Sequence, residues 1–526
     1  MRLNAKPSPQ DSMSEKLIKI AELLPNSELV GDPGALIERL QMDSRSVKSG
    51  DLFLALKGER FDAHDFLVDI AKVAGVSVIV DKSVKPVIQK LNLNAVCVDD
   101  TKLALGQLAK AWRLIHPVPL IAVTGSNGKT TVTQMIASIL HTYAGEKALA
   151  TEGNLNNDIG LPQTLLRLRR THSCAVVELG MNHPGEIEYL AKITNPDVGL
   201  INNAQREHQE FMNTVEAVAV ENGQVMSHLS ESGVAVFPAD DQFTELWIKM
   251  CGKKSYLTFS GNDSSKTNQA NQKVHADVLL KRSEYKEGVW LIEVDTPIGH
   301  LKSQLHIAGE HNVKNALAAI ACCVALKVPV SQIELGLSAF RAVKGRSRSL
   351  RLKFGSNVLG HPTSQASHDP IALDVIDDTY NANPDSVIAA INVLAQMTSP
   401  TLLVLGDMGE VGRDGPSYHK EVGEYAAIRG ISSIYGLGEL TQYTVEAFNK
   451  HISGAKSAQT QGIHYASLDS LIESLTSIPT VYKSVLIKGS RFMKMERSVQ
   501  ALEELQVSGI NNKVQQSAQQ KESTCC

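Results

Sequence analysis

Val123-Thr-Gly-Ser-Asn-Gly-Lys-Thr-Thr131 follows a short apolar run, Ile121-Ala-Val123, and opens a segment with apolar residues at Val132, Met135, Ile136, Ile139 and Leu140. The run predicts a strand, and the i, i+3, i+4, i+7, i+8 spacing predicts a helix. A glycine-bearing turn joining a strand to a helix is a phosphate cradle. Gly125 and Gly128 let the backbone turn tightly and aim N–H groups, through Ser126 and Asn127, at phosphate oxygens. The helix N-terminus adds a favourable dipole. Lys129 places a cation on the outer phosphates, and the hydroxyl of Thr130, beside Thr131, is a ligand type for Mg²⁺. Val123 stands where the general motif carries its early glycine.

Outward from this loop the chain alternates. Ala175-Val-Val177, Val198-Gly-Leu-Ile201 and Val234-Ala-Val-Phe237 read as buried strands with helical patterns between most of them. That pattern predicts a doubly wound parallel sheet of the α/β class. Ligands gather at the C-terminal ends of such strands. Glu178 ends one strand and is the metal carboxylate expected beside the phosphate loop. His208 follows the next, in Asn202-Asn-Ala-Gln-Arg-Glu-His-Gln-Glu-Phe211, and neutral imidazole is a ligand for a divalent metal or its water shell.

Two smaller α/β units flank this centre. Upstream, Leu52–Leu56, Ser77–Asp81 and Asn94–Asp99 read as strands, and His116-Pro-Val-Pro119 reads as a linker. Downstream, Leu402–Leu405, Ser433–Tyr435 and Val485–Ile487 repeat the pattern in a Rossmann-like unit. The expected domains are 1–116, 117–342 and 343–510. Asn262–Lys273 and Gly355–Ala372 read as polar inserts, and 511–526 as a disordered tail.

Composition narrows the class. Of 526 residues, 52 are Lys or Arg and 56 Asp or Glu, a formal charge of −4 that supports no nucleic-acid partner. The longest apolar run, Ala316–Leu326, is too short to insert stably in a bilayer. The N-terminus has no apolar core of a signal peptide. Seven cysteines with no CxxC pair fit a reducing cytoplasm better than a disulfide framework or zinc site. A monomer is expected. These features leave a motion-driving ATPase or GTPase open.

Further blocks narrow the choice. They are Asp43-Ser-Arg45, Leu56-Lys-Gly-Glu-Arg-Phe-Asp-Ala-His64, Glu152–Gly160, Gly309–Asn315, Lys344-Gly-Arg346, Asp377–Pro384, Gly406–Glu410 and Lys488-Gly-Ser-Arg491. In this order the chain resembles the Mur ligases, ATP-dependent amide-forming enzymes of peptidoglycan precursor assembly. The resemblance covers nearly the whole chain outside the inserts and tail. It implies a UDP-sugar site with Ser44, Arg45, Lys57 and His64. It implies adenine contacts through Asn312 and Asn315, and ATP contacts through Arg346, Asp377 and Tyr380. It also implies a substrate and dipeptide site with Asn154, Asn156, Asn157, Asp158, Asn381, Asn383, Lys488, Ser490 and Arg491. The Glu152–Gly160 block is similar to that of the member adding D-Ala-D-Ala to a UDP-MurNAc-tripeptide. The implied catalytic groups are Lys129, Glu178 and His208, with ATP and Mg²⁺ required.

The residues themselves agree with parts of this. Asn312 and Asn315 lie three apart and can share a helix face, where amides can read a purine edge; helix capping by Asn312 is the plainer alternative. Lys488 and Arg491 follow a strand, and a cationic pair there suits a carboxylate such as a dipeptide C-terminus. In one position the chain departs from the resemblance. A lysine, commonly carbamylated and holding a second Mg²⁺, is implied where this chain has Asn222. An amide oxygen can ligate a hard cation without the charge, so Asn222 is the expected replacement and activity independent of bicarbonate is expected. Segments near Pro117 and Val343 are the expected hinges of domain closure.

Overall fold

The computed structural model describes residues 12–58, 60–261, 275–354, 371–452, 460–475 and 478–506. The insert at 262–273, most of that at 355–372, and the tail at 511–526 lie outside the described residues.

The N-terminal region carries a five-stranded sheet. Glu28–Val30 lies antiparallel to Asn94–Val98, followed in parallel by Ser77–Asp81, Asp51–Leu54 and Arg39–Gln41. The three inner strands are mostly apolar and buried because both faces are covered, whereas the outer Glu28–Val30 and Arg39–Gln41 are partly exposed. The helix Thr101–Ile115 then packs against the helices Gly160–Leu165 and Glu186–Thr194 of the central region, so the core runs on without a break.

The central sheet places the phosphate loop. Third from one edge is β1 (Leu120–Thr124), all five residues buried, leading into helix α1 (Lys129–Ala144). β2 (Cys174–Glu178) lies parallel on one side of β1 and β3 (Val198–Ile201) on the other. Both neighbours end level with the loop, so Glu178 and the segment after Ile201 flank it. Beyond β3 come Val234–Pro238 and Ser255–Ser260, also parallel. The expected parallel sheet is present, with an extension that apolar runs did not predict. Val278–Lys286 joins Ser255–Ser260 in parallel, and Val289–Thr296 and Gly299–Leu305 continue the sheet as antiparallel strands; with Ala148–Ala150 outside β2 the sheet has nine strands among the described residues. The last two alternate buried and exposed residues, which is how a strand with one wet face reads. Helix α2 (Glu310–Ala325), apolar from Ala316 onward, is buried against this sheet.

The third region is a six-stranded sheet. An antiparallel edge strand, Arg348–Phe354, precedes β4 (Ile371–Asp378); then come β6 (Ser484–Lys488), β5 (Thr401–Gly406), Ser433–Leu437 and Gln461–Tyr465, all parallel. Helix α3 (Pro384–Ala395) follows β4 and is capped by Asn383, whose side chain accepts from Ser386 N.

Near Pro117, where a hinge is expected, the chain is tied to the central sheet. Arg113, 5% exposed, donates to the carbonyls of Thr194 and His116 and to Asp197. These bonds fix the 116–119 segment to the central sheet, so free rotation there would break a buried network. At the other junction Gly345 N donates to Asp377 and Tyr380 N to Gly345 O, which ties Gly345 to the third sheet.

Candidate active site

The phosphate loop has the backbone its glycines predict. Gly125 has φ +132° and Gly128 φ +82°, both left-handed, and a Cβ on Gly128 would fall 2.5 Å from Asn315 Oδ1. The loop is braced from β3. Asn203 Oδ1 accepts from Asn127 N at 2.9 Å, Gln205 N donates to Ser126 Oγ at 2.9 Å, and Asn202 Nδ2 donates to Asn127 O at 2.7 Å.

A cavity of about 780 Å³ opens over this loop, between the central and third sheets. Ser126, Asn127, Gly128, Lys129, Thr130 and Thr131 line it, whereas Gly125 acts from behind. Lys129 Nζ reaches Glu207 Oε1 at 2.6 Å and also donates to Gly125 O and Ser126 O. Glu178, 3% exposed, accepts from Thr130 Oγ1 at 3.2 Å and from Asn156 Nδ2 at 2.7 Å. Thr130 and Glu178 are therefore converging hard oxygen donors beside the loop, and this set suits Mg²⁺.

From the other side Arg346 donates to Thr130 Oγ1 at 3.0 Å and stacks on Tyr380, its Cζ 3.8 Å from the ring centroid. Arg491 lies 5.8 Å from the same ring, on a more exposed side chain that also pairs with Glu496. Asn127 and Asn383 exchange amide hydrogen bonds at 2.8 and 3.3 Å. Asn154, Asn157 and Asn381 line the cavity too, as does Asp158, which pairs with Lys102 at 2.6 Å.

Several of the expected residues are already engaged within the protein, and two of them, Asn222 and Asp377, do not line the cavity. Asn222 is fully buried and does not line the cavity; its Oδ1 is engaged by Thr124 Oγ1 at 2.5 Å, so it is not poised as a metal ligand. Asp377 is fully buried and accepts from Gly345 N and Thr379 Oγ1, while its neighbour Asp378 faces the cavity. Asn312 and Asn315 line the cavity, and their amides are largely engaged with one another and with neighbours. Asn315 donates to Asn312 and accepts from Asn202, while Asn312 donates to Ala308 O, so they brace the phosphate loop against α2. Lys488 is 3% exposed and bonded to Asp378 at 2.6 Å and to Asn381 O, so it is not a free cation for a carboxylate. Ser490 is held between Gly409 N and Ala382 O. Of the two cations in that block, Arg491 is the accessible one.

Ser44, Arg45, Lys57 and His64 lie apart from this cavity, on loops after two neighbouring strands of the N-terminal sheet. Arg45 forms a bidentate pair with Asp43, and Lys57 stands 4.0 Å from Asp62. His64 has both ring nitrogens engaged, with Asp62 and with Asp81 N, so it shapes its loop.

His208 lines the cavity between two carboxylates. Its Nδ1 lies 2.6 Å from Glu410 and its Nε2 3.5 Å from Glu207. Burial disfavours the imidazolium, but the bonds to Glu207 and Glu410 outweigh burial and raise the pKa from 6.5 to about 9. Because the folded pKa lies above the unfolded one, this stabilisation is complete below about pH 6.5 and is lost as pH rises through about 9. Thermal unfolding of the wild type is therefore expected to fall more steeply than that of His208→Asn between about pH 7 and about pH 10. Parallel profiles would remove the charge from His208.

Four residues of the site escaped sequence reading: Arg206, Glu207, Asp378 and Glu410. Arg206 grips Asp385 and Glu421 with paired hydrogen bonds and stacks on Tyr418, so it spans the central and third regions. Arg206 and Glu207 sat inside the quoted Asn202–Phe211 run; their partners are distant in the chain.

A strand–loop–helix phosphate cradle with a strand-end carboxylate, closed over by a second sheet bearing arginines, defines a nucleotide-using enzyme whose second substrate enters from another domain. Family models match in the same order: Mur ligase family, catalytic domain, at 36–113; Mur ligase middle domain at 123–323; and Mur ligase, glutamate ligase domain, at 365–491. The UDP-N-acetylmuramoyl-tripeptide–D-alanyl-D-alanine ligase of Escherichia coli K12 is 35% identical over 94% of this chain and 99% of its own length. The enzyme of that name from Bacillus subtilis is 31% identical over 90% and 94%. A crystal structure of MurF from Acinetobacter baumannii superposes with a TM-score of 0.80, at 32% identity over 94% of this chain and all of that one. The chain belongs to the Mur ligase family.

Proposed function

We propose that this protein joins D-alanyl-D-alanine to UDP-MurNAc-tripeptide at the expense of ATP, giving the pentapeptide precursor of peptidoglycan. The observation that carries the reading is the single cavity in which the phosphate loop of the central region meets Arg346, Tyr380 and Arg491 of the third. The full-length likeness to ligases of that name supports the choice of substrates.

A carboxylate acylates an amine poorly, because oxide would have to leave. Transfer of the γ-phosphoryl group from ATP to the tripeptide carboxylate gives an acyl phosphate and ADP. The amine of D-Ala-D-Ala then attacks the carbonyl carbon, the C–O bond to phosphate breaks, and the amine proton is lost as the amide forms. Lys129, at the helix N-terminus of α1, neutralises charge that builds on the transferring phosphoryl oxygens. Thr130 and Glu178 would hold Mg²⁺, which supplies charge neutralisation on the phosphates when bound. Arg346, locked on Tyr380 and bonded to Thr130, fixes the third region over the loop, and Arg491 offers a guanidinium to a carboxylate. The UDP-sugar falls to the 1–116 unit, ATP to 117–342 and the dipeptide to 343–510. Closure of the cavity keeps water from the acyl phosphate.

The test is phosphate release from ATP with each substrate omitted in turn, with the product weighed by mass spectrometry. Release only with both substrates, and a pentapeptide product, is the expected result. Turnover with neither would make the protein a simple ATPase and overturn the reading.

A further inference from the structure

Glu207 is unusual among the carboxylates of the cavity. It is 8% exposed and follows β3, on the flank of the phosphate loop opposite Glu178. Its Oε1 takes Lys129 Nζ at 2.6 Å, whereas its Oε2 is buried and has no hydrogen-bond partner among the described residues. An unpartnered buried carboxylate oxygen is costly and points to a missing positive group.

The partner that Glu207 does have is the one the nucleotide claims. A phosphate-loop lysine serves the outer phosphates. Once Lys129 turns to them, Glu207 is left buried and close to a polyanion, with only the longer 3.5 Å contact to His208, which it shares with Glu410. Other carboxylates of the cavity keep cations that no phosphate needs, Asp378 with Lys488 and Asp385 with Arg206 among them. His208 Nε2 stands 3.5 Å from Oε1, the oxygen that Lys129 already holds, and its other nitrogen faces Glu410, so Oε2 gains no partner from it. Asn222, on the same flank, is engaged by Thr124 and lies outside the cavity.

We propose that Glu207 is the carboxylate ligand of a second divalent cation in this cavity, exchanging Lys129 for the metal when nucleotide binds. The inference rests on the ATP-dependent reading above. It makes Glu207 the source of the negative charge that Asn222 lacks, and it places one carboxylate on each side of the phosphate loop.

The experiment is a Mn²⁺ titration of the full chain with saturating β,γ-imido-ATP, following free Mn²⁺ by electron paramagnetic resonance. No turnover is needed, so a failure here is distinct from failure of the ligase assay. The wild type is expected to bind two Mn²⁺ per chain. Glu207→Gln should keep one and weaken the other at least about tenfold, and Glu207→Asp should retain both with the second weakened less. In EDTA without metal, Glu207→Gln should bind the nucleotide more tightly than wild type, because Lys129 is released. One Mn²⁺ in the wild type, or two of unchanged affinity in Glu207→Gln, would overturn the proposal. So would weaker metal-free nucleotide binding in Glu207→Gln, which would make Glu207 only a positioning residue for Lys129. If the glutamine variant does not fold, the aspartate variant carries the same comparison.

Discussion

Lys129→Ala is expected to lower kcat by about 10³-fold, the scale of removing one fixed charge from a phosphoryl-transfer site. The ammonium sits at the first position of α1 and is held by two loop carbonyls and Glu207, so it is preorganised where charge will build. The alanine variant also strands Glu207 as a buried charge, which would lower stability on its own account. Lys129→Ala combined with Glu207→Gln separates the two effects. The double variant should regain thermal stability and stay inactive. If activity returned with stability, Lys129 would be structural and the phosphate would be held by other groups.

Lys488→Ala is expected to destabilise the third region by about 3–5 kcal/mol, because breaking a buried pair leaves its partner uncompensated. Burial pushes the Asp378 carboxyl up, but the Lys488 ammonium at 2.6 Å overrides it and holds the group below its ordinary value. Lys488→Met with Asp378→Asn should recover more than half of that loss, since neither charge is then left alone. Denaturant unfolding of the three variants measures this. If Lys488 served a substrate carboxylate instead, Lys488→Ala would raise KM for the dipeptide and leave unfolding unchanged.

The parallel core was legible because its strands are continuous apolar runs, as at Leu120–Thr124 and Thr401–Gly406. The antiparallel extension was not, because Gly299–Leu305 hides only every second residue. The same division holds in the site. Lys129, Thr130 and Glu178 could be read from local context, since strand–turn–helix geometry fixes where they point. Arg206 and Glu207 could not, because their partners Asp385, Glu421 and Lys129 are remote in the chain. The choice between Asp377 and Asp378 was within reach. Leu373 and Val375 pack into one core of the third region and Ile376 into the other. Strand alternation therefore puts Asp377 with the first pair and Asp378 with Ile376, toward the cavity.

The segment from Asn202 to His208 does two jobs. Asn202, Asn203, Gln205 and Glu207 hold the phosphate loop, whereas Arg206 and His208 hold the third region. One short irregular stretch is therefore the common anchor of the loop that grips phosphate and of the region that covers it, so a disturbance on either side is felt on the other.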